Sequence, residues 1–398
     1  MPTQPYDVYL IDISYFSGKL ESYLRYKGIP FRAIYPDDRM LLREVYRHTG
    51  LMKVPAVRTP EGQWLRDTTP MIEWLESRHP QPAVFPSDPA LLFLSQLLED
   101  YADEWLWRPA MYYRWEFTPD RVLNRRRAAR EILMSWPLPS AWMGLYFAHR
   151  QRRIFVHGDG VNTDTIPHVE FTYLNCLDAL ESILADRPYL TGKNPTLVDF
   201  AFMGPMFRHF SIDPTPARIM RDRSPGVYAW VARLWNARAL QSSRTLHLPD
   251  TAFTHPGWQY FWREIENVYL PYLHANARAF QIKQSRFDFA LPMDANVIYR
   301  RLPVYAYRVW CREVLRRKYN ELPGPAHKKL KRLAPTSLLS MLMADADVSS
   351  ELDADYSLPL APRTTQPDWW HRLLIFLTGT PRDMPERARS IAARAKNR

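Results

Sequence analysis

Two short stretches carry residue types able to hold a small peptide-like ligand. The first is Val54-Pro55, at the start of the β-prone run Val54 to Arg58. A proline cannot donate to a strand ladder, so Pro55 belongs at an edge or a bend, and a cis peptide there leaves the Val54 backbone free to pair with a ligand. The second is Asp67-Thr68, just ahead of the apolar pattern Met71-Ile72 and Trp74-Leu75. At a helix N-terminus, unsatisfied backbone N–H groups and the helix dipole favour a bound carboxylate. Each stretch also has a plain structural explanation: Val54-Pro55 reads equally as a turn, and Asp and Thr are preferred caps whatever the function.

The elements that must position these residues can be read from periodicity. Asp7 to Ile13 has the content of a buried strand, Ser14 ends it and can cap a helix, and Lys19 to Lys27 carries Leu20, Tyr23 and Leu24 at helical spacing. Gly28-Ile29-Pro30 stops that helix and Phe31 to Tyr35 returns as a strand, which predicts a right-handed β-α-β unit with parallel strands. Leu41 to Thr49 is a second helix, Val54 to Arg58 and Gln63 to Arg66 form a hairpin about Pro60-Glu61-Gly62, and Met71 to Ser77 is a third helix. This β-α-β-α-β-β-α order is that of a thioredoxin-like domain, assigned to residues 1–82.

A proline-rich linker, Pro80 to Pro89, precedes an all-helical domain assigned to residues 90–247. Its predicted helices are Leu91 to Trp107, Arg121 to Met134, Ala141 to Arg153 and Ile166 to Leu184. Thr196-Leu-Val-Asp199 then matches a capping box with Asp in place of the usual Glu, and the helix it opens, Leu197 to Phe207, is apolar nearly all round and should be buried. Residues 250–322 read as a helical extension: a helix Trp258 to Phe280, a short hairpin pairing Phe287 to Leu291 with Val297 to Arg301, and a helix Pro303 to Tyr319. Residues 323–398 run through basic, acidic and proline-rich stretches and are expected to be a mostly flexible tail. The expected class is α/β plus all-α.

At 46% hydrophobic and 14% aromatic residues, the chain can build substantial cores. The longest apolar candidates, Leu338 to Met343 and Leu373 to Leu377, fall far short of the roughly eighteen residues of a membrane span. Met1 to Leu10 lacks the pattern of a signal peptide, so a soluble cytoplasmic protein is expected. Cys176 and Cys311 read as separate buried thiols, which supports neither a disulfide framework nor a metal site. The acidic group Glu99, Asp100, Asp103 and Glu104 has no companion histidine spacing and reads as a solvated helix face. Net charge is +11, and residues 250–398 hold 23 Lys and Arg against 15 Asp and Glu. The runs Arg316-Arg317-Lys318 and Lys328-Lys329-Leu330-Lys331-Arg332 have no nucleic-acid-binding motif beside them, so specific nucleic-acid binding is not expected.

Taken together, the strand order, Lys53-Val54-Pro55, Asp67-Thr68, and Gly192 with the Thr196-x-x-Asp199 box resemble the glutathione S-transferase family over about residues 5–245. The resemblance implies glutathione as co-substrate. Its γ-glutamyl carboxylate would lie on Thr68, its ammonium on Asp67, its cysteinyl backbone on Val54, and its glycyl carboxylate near Lys53. It also implies an activating hydroxyl in the turn after the first strand. Ser14 matches the active serine or cysteine of bacterial-type members, with Ser17 one turn later and Lys19 in the basic position. Tyr15-Phe16 ahead of Lys19-Leu20-Glu21-Ser22 is similar instead to tyrosine-type members, and the proline that often follows the first active residue is absent. The aromatic set Tyr101, Trp105, Tyr112, Tyr113 and Trp115 is either an electrophile pocket or core packing. The expected function is activation of the glutathione thiol for attack on, or reduction of, a small apolar or aromatic electrophile. Two alternatives stand beside it: a non-catalytic binding or scaffolding protein of the same fold, and a membrane-surface adaptor acting through the basic tail. Homodimerisation stays open, because the extension could block or replace the family's usual interface.

Overall fold

The computed structural model describes residues 4–133, 138–239, 245–352 and 358–360. Strand β1 (Tyr6–Tyr9) pairs in parallel with β2 (Phe31–Ile34) and antiparallel with β3 (Ala56–Arg58), which pairs antiparallel with β4 (Trp64–Arg66). The sheet order is β2-β1-β3-β4, and Val8 sits opposite both Ala33 and Val57. Helix α1 (Tyr15–Lys27) makes the crossover and ends at Gly28, whose φ of 66° lets its N–H reach the carbonyls of Leu24 and Arg25. With the helical segment α2 (38–49) and α3 (Thr68–Arg78), this is the thioredoxin-like N-terminal domain.

The first strand is shorter than the run Asp7 to Ile13 suggests. Past Tyr9 the chain leaves the sheet because two arginines of the helical domain claim its carbonyls: Arg208 Nη1 donates to Ile11 O at 2.9 Å, and Arg114 Nη1 to Ile13 O at 2.5 Å. Both guanidiniums are buried and ion-paired, Arg114 with Asp213 at 2.6 Å and Arg208 with Glu21 at 2.5 Å. The turn before α1 is therefore held from the second domain.

That domain comprises α4 (Pro89–Glu104), α5 (Trp107–Glu116), α6 (Thr118–Glu131), α7 (Ser140–Gln151), α8 (Ile166–Leu184), α9 (Leu197–Pro205), α10 (Pro214–Arg223) and α11 (Pro225–Asn236). Every residue of α9 is buried, as its all-round apolarity requires. Asp199 locks its start by accepting from the N–H groups of Thr196 at 3.0 Å and Leu190 at 2.9 Å and from Trp230 Nε1 at 3.0 Å. Burial still pushes the Asp199 carboxyl up to about 6, against those hydrogen bonds. Helix α9 packs on α1 and α4, and Gly204 allows the approach: a Cβ there would lie 2.8 Å from Tyr15 Cε1.

The extension is docked on this core. A continuous helical segment α12 (258–281) is followed by the hairpin β5 (Arg286–Leu291) and β6 (Asp294–Pro303), then α13 (Ala306–Asn320), α14 (Gly324–Leu333) and α15 (Thr336–Leu342). Trp258, Trp262 and Tyr269 of α12 are fully buried in the common core. Trp105 Nε1 donates to Glu264 at 3.1 Å, and burial lifts the Glu264 carboxyl to about 7. The expectation of a mostly flexible chain from Pro323 is corrected for residues 324–342, which form two helices whose Leu330, Leu338 and Leu342 are buried. Part of the basic charge of the two runs, Arg316 to Lys318 and Lys328 to Arg332, is used within the molecule. Arg316 pairs with Asp347 at 2.8 Å, Lys318 with Glu73, and Lys329 with Asp88 at 2.8 Å. The run Leu373 to Leu377 and the rest of 361–398 lie outside the described residues.

Candidate functional site

A cavity of about 640 Å³, counting its solvent-open mouth, lies where the two domains and the extension meet. One wall is Lys53, Val54 and Pro55, ahead of β3, and another is Asp67 and Thr68 at the N-terminus of α3. Phe16 of α1, Thr49, Leu51, Arg66, Asp103 and Glu104 at the end of α4, and Tyr307 of α13 close the remainder. Four of the residues singled out in the sequence, Lys53, Val54, Asp67 and Thr68, thus share one cavity. The Val54-Pro55 peptide is cis.

Asp67 departs from the ordinary cap reading. Its side chain makes no capping hydrogen bond, and its backbone sits at φ 69° and ψ 119°, a region that costs a residue with a Cβ roughly 1–3 kcal/mol. The carboxylate instead accepts a hydrogen bond from the Tyr307 hydroxyl. Burial raises its pKa, and the Tyr307 bond and the nearby ammonium groups of Lys19 and Lys53 oppose that rise. The Asp67 carbonyl still opens α3 by accepting from the Met71 N–H at 2.9 Å, and Thr68, buried, is the first helical residue.

The hydroxyls after β1 have different surroundings. Ser14 is the N-cap of α1, and its Oγ accepts from the Ser17 N–H at 3.3 Å. That leaves its own proton to donate, and its partner is the carbonyl of Val54, a cavity-wall residue, at the long distance of 3.5 Å. Tyr15 is 1% exposed, donates to Ala102 O at 2.6 Å, and packs edge-on to Trp107 and His209. Its hydroxyl is built into the seam between the domains. Ser17 is fully buried and accepts from the Ile11 N–H at 3.3 Å. None of Ser14, Tyr15 and Ser17 is among the residues lining the cavity, and Ser14 alone reaches it, through Val54.

The acidic group on α4 is not the solvated face its composition suggested. Glu99, Asp103 and Glu104 are buried, and Lys19 Nζ, itself fully buried, bridges Glu99 at 2.6 Å and Asp103 at 2.5 Å. Burial alone would lower the Lys19 pKa, but the two carboxylates more than offset it and hold the ammonium charged. Two carboxyls sharing one ammonium cannot both ionise easily, and burial pushes Asp103 up. Its Oδ1 is buried without a hydrogen-bond partner, in a residue that lines the cavity. A buried carboxylate oxygen with no partner is costly, so a donor arriving in the cavity would be favoured there.

The aromatic set is core, not pocket. Tyr101, Trp105, Tyr112, Tyr113 and Trp115 are each at most 6% exposed, and none lines the cavity. Aromatic rings at the cavity come instead from Phe16 and Tyr307. Sequence reading missed Asp103, Glu104 and Tyr307. The four-residue spacing of Glu99 and Asp103, which puts them on one helix face, was the available signal for the first. Nothing local marks Tyr307.

Cys176 and Cys311 are both free and buried, and burial raises both thiols. Among the described residues no group of three His, Cys, Asp or Glu side chains is arranged to hold a metal ion. Nor is any described helix long and apolar enough to cross a membrane.

Comparison with known proteins agrees with this architecture. Residues 13–78 match the glutathione S-transferase N-terminal domain, and residues 167–237 match the glutathione S-transferase C-terminal domain. The first match contains Ser14, Lys53, Val54, Asp67 and Thr68. No curated protein matches the chain. Similar solved structures include a glutathione S-transferase from Methylobacterium radiotolerans in complex with glutathione sulfonate, 21% identical over 60% of this chain and 98% of that one, TM-score 0.37. Another is the beta-etherase LigF from Sphingobium sp., 15% identical over 66% of this chain and 100% of that one, TM-score 0.43. A third is a glutathione transferase family member from Pseudomonas fluorescens with two glutathione bound, 13% identical over 58% and 90%, TM-score 0.37. Residues 238–398 lie beyond both domain matches, so the docked extension is an addition to the matched domains. Residues 13–78 and 167–237 are thus similar, in the order that the fold requires, to the two domains of the glutathione S-transferase family.

Proposed function

We propose that the protein binds glutathione in the cavity between Val54 and Asp67 and activates its thiol with the Ser14 hydroxyl for attack on a small electrophile. The observation that carries the reading is the Asp67 carboxylate: it is released from capping and lines a cavity that also holds Thr68 and Val54. In this reading the γ-glutamyl carboxylate takes the N-terminal N–H groups of α3 and the Thr68 hydroxyl. The α-ammonium sits between Asp67 and the unpartnered Oδ1 of Asp103, and the glycyl carboxylate extends toward Lys53. The cysteinyl backbone pairs with Val54, which brings the sulfur to the N-terminus of α1.

Ser14 suits the activating role for a geometric reason. Its Oγ lone pair is engaged by the Ser17 N–H, so its proton points outward, and the 3.5 Å contact with Val54 O is easily exchanged for a thiolate. A free thiol has a pKa of about 8.5, and lowering it by two units takes about 2.7 kcal/mol. One hydrogen bond to the anion contributes roughly 1.5–3 kcal/mol, with the α1 dipole adding a fraction. Phe16 and Tyr307 offer the electrophile an apolar wall.

A second reading, a non-catalytic binding module, has one observation in its favour: the Tyr307 hydroxyl already occupies the Asp67 carboxylate from the extension. The two readings separate in one experiment. Calorimetry with glutathione and turnover of an aryl halide are measured on the full chain and on Ser14→Ala. Binding with turnover that falls in the variant supports the enzyme, binding without turnover supports the module, and no glutathione binding rejects both.

A further inference from the structure

Helices α6 and α7 carry a surface that shares no residue with the candidate site. Between Arg121 and Arg153 the chain holds eight arginines and one acidic residue, Glu131, a local charge of +7 in a chain of net +11. Helices α6 and α7, which carry most of that segment, pack closely as a hairpin. A Cβ on Gly144 would stand 2.7 Å from Arg125 O, so the two helices present one rigid face. Arg127 pairs with Glu131, and Arg121 bonds carbonyls at the start of its helix. Arg125, Arg126 and Arg130 have no hydrogen bond or ion pair to any described residue, and Arg126 and Arg130 are exposed.

A basic helix face alone is commonly just solvated. The same helix pair and its entry also carry exposed apolar side chains: Trp142 at 66%, Leu138 at 52% and Leu145 at 51%. A recess between the two helices is lined by Arg125, Arg126 and Arg130 of α6 and by Leu145 of α7, and Trp142 lies three residues before Leu145 on the same helix. Exposed arginines beside an exposed leucine and tryptophan match an anionic phospholipid surface: arginines at the headgroup phosphates, Trp and Leu in the headgroup–acyl boundary. A nucleic acid would use the arginines but has no use for exposed leucines, and a solvated face has no use for any of the apolar trio. This surface is also distinct from the basic runs of the extension, where Arg316, Lys318 and Lys329 are engaged within the molecule.

We propose that the α6–α7 hairpin docks the protein on anionic membrane surfaces, through Arg125, Arg126 and Arg130 together with Trp142 and Leu145. The contact is peripheral and reversible. The test uses the full chain and co-sedimentation with phosphatidylcholine vesicles, with and without phosphatidylserine, at low and high salt. The expected result is binding only to the phosphatidylserine vesicles, released by salt, with Arg126→Glu/Arg130→Glu weakening it roughly thirtyfold or more. Trp142→Ala/Leu145→Ser should also weaken it, without restoring salt-insensitive binding. All four side chains are exposed, so far-ultraviolet circular dichroism should be unchanged in both variants. Absence of binding to either vesicle, or binding indifferent to both pairs of substitutions, overturns the proposal. So does capture of a single-stranded oligonucleotide in preference to the vesicles, which would make the face a nucleic-acid surface.

Discussion

Replacing Ser14 by alanine removes the only hydroxyl proton of the β1–α1 turn that reaches a cavity wall, the donor to Val54 O at 3.5 Å. If that proton stabilises the bound thiolate, its loss forfeits roughly 1.5–3 kcal/mol. At about 1.4 kcal/mol per pKa unit, the thiol of bound glutathione should rise by about one to two units. The sign fixes the assay. Below both pKa values the thiolate fraction, and with it the conjugation rate, should fall about ten- to a hundredfold, whereas well above both the variant and the parent should converge. The measurement is kcat/KM against pH, paired with ultraviolet titration of the bound thiolate, and Ser14→Thr should keep most of the activity. The same substitution deletes the cap to the Ser17 N–H, so a stability loss of about 0.5–1 kcal/mol is expected independently of catalysis. An unshifted pH profile, in a variant that still binds glutathione, would refute the role given to Ser14.

Three further outcomes follow from the same structure. Glu264 has a folded pKa raised to about 7 from its ordinary 4.5, so the stability it contributes is full below about 4.5 and is lost as pH rises through about 7. Glu264→Gln should remove that loss, making the variant relatively more stable at about pH 8 than at about pH 5, by up to about 3 kcal/mol in urea melts; an equal effect at both pH values would contradict the buried carboxyl. Tyr307→Phe deletes the donor that lowers the Asp67 pKa, so glutathione affinity should begin to fall at a higher pH than in the parent as the solution is acidified, and calorimetry across pH would detect an unchanged midpoint if Tyr307 is idle. Gly204→Ala places a methyl 2.8 Å from Tyr15 Cε1 and should cost roughly 1–3 kcal/mol of stability, read as a lowered urea midpoint.

Much of the N-terminal architecture was legible in the sequence because the signals are local. Gly28 and Pro30 end α1, Pro60-Glu61-Gly62 turns the hairpin, and Asp199 caps α9 within three residues of Thr196. Strand β1 was read too long because a β-prone run does not reveal that Arg114 and Arg208, about a hundred and two hundred residues away, take the carbonyls of Ile13 and Ile11. The acidic group on α4 misled for a similar reason. Four carboxylates in six residues suggest solvent, and it is partners distant in sequence that make their burial tolerable: Lys19 for Glu99 and Asp103, Tyr269 for Asp100 and Arg308 for Glu104. The tail from Pro323 was misjudged because polar composition outweighed the apolar positions Leu330, Leu338 and Leu342, which find their partners only in tertiary contact.

By itself, then, the sequence determined the order of elements in the N-terminal domain and the candidate ligand contacts at Val54, Asp67 and Thr68, since short-range backbone preferences and caps decide those. Tertiary structure alone decided which hydroxyl is available and what closes the site. Tyr15 and Ser14 are neighbours with similar chemistry, yet one donates into the domain seam at Ala102 and the other toward Val54 at the cavity wall. Tyr307 joins the site from 240 residues beyond Asp67, brought there by the burial of α12 and α13 rather than by any local signal. Hydrogen bonds and burial are satisfied in space, and the chain's own order carries no record of which distant partner will satisfy them.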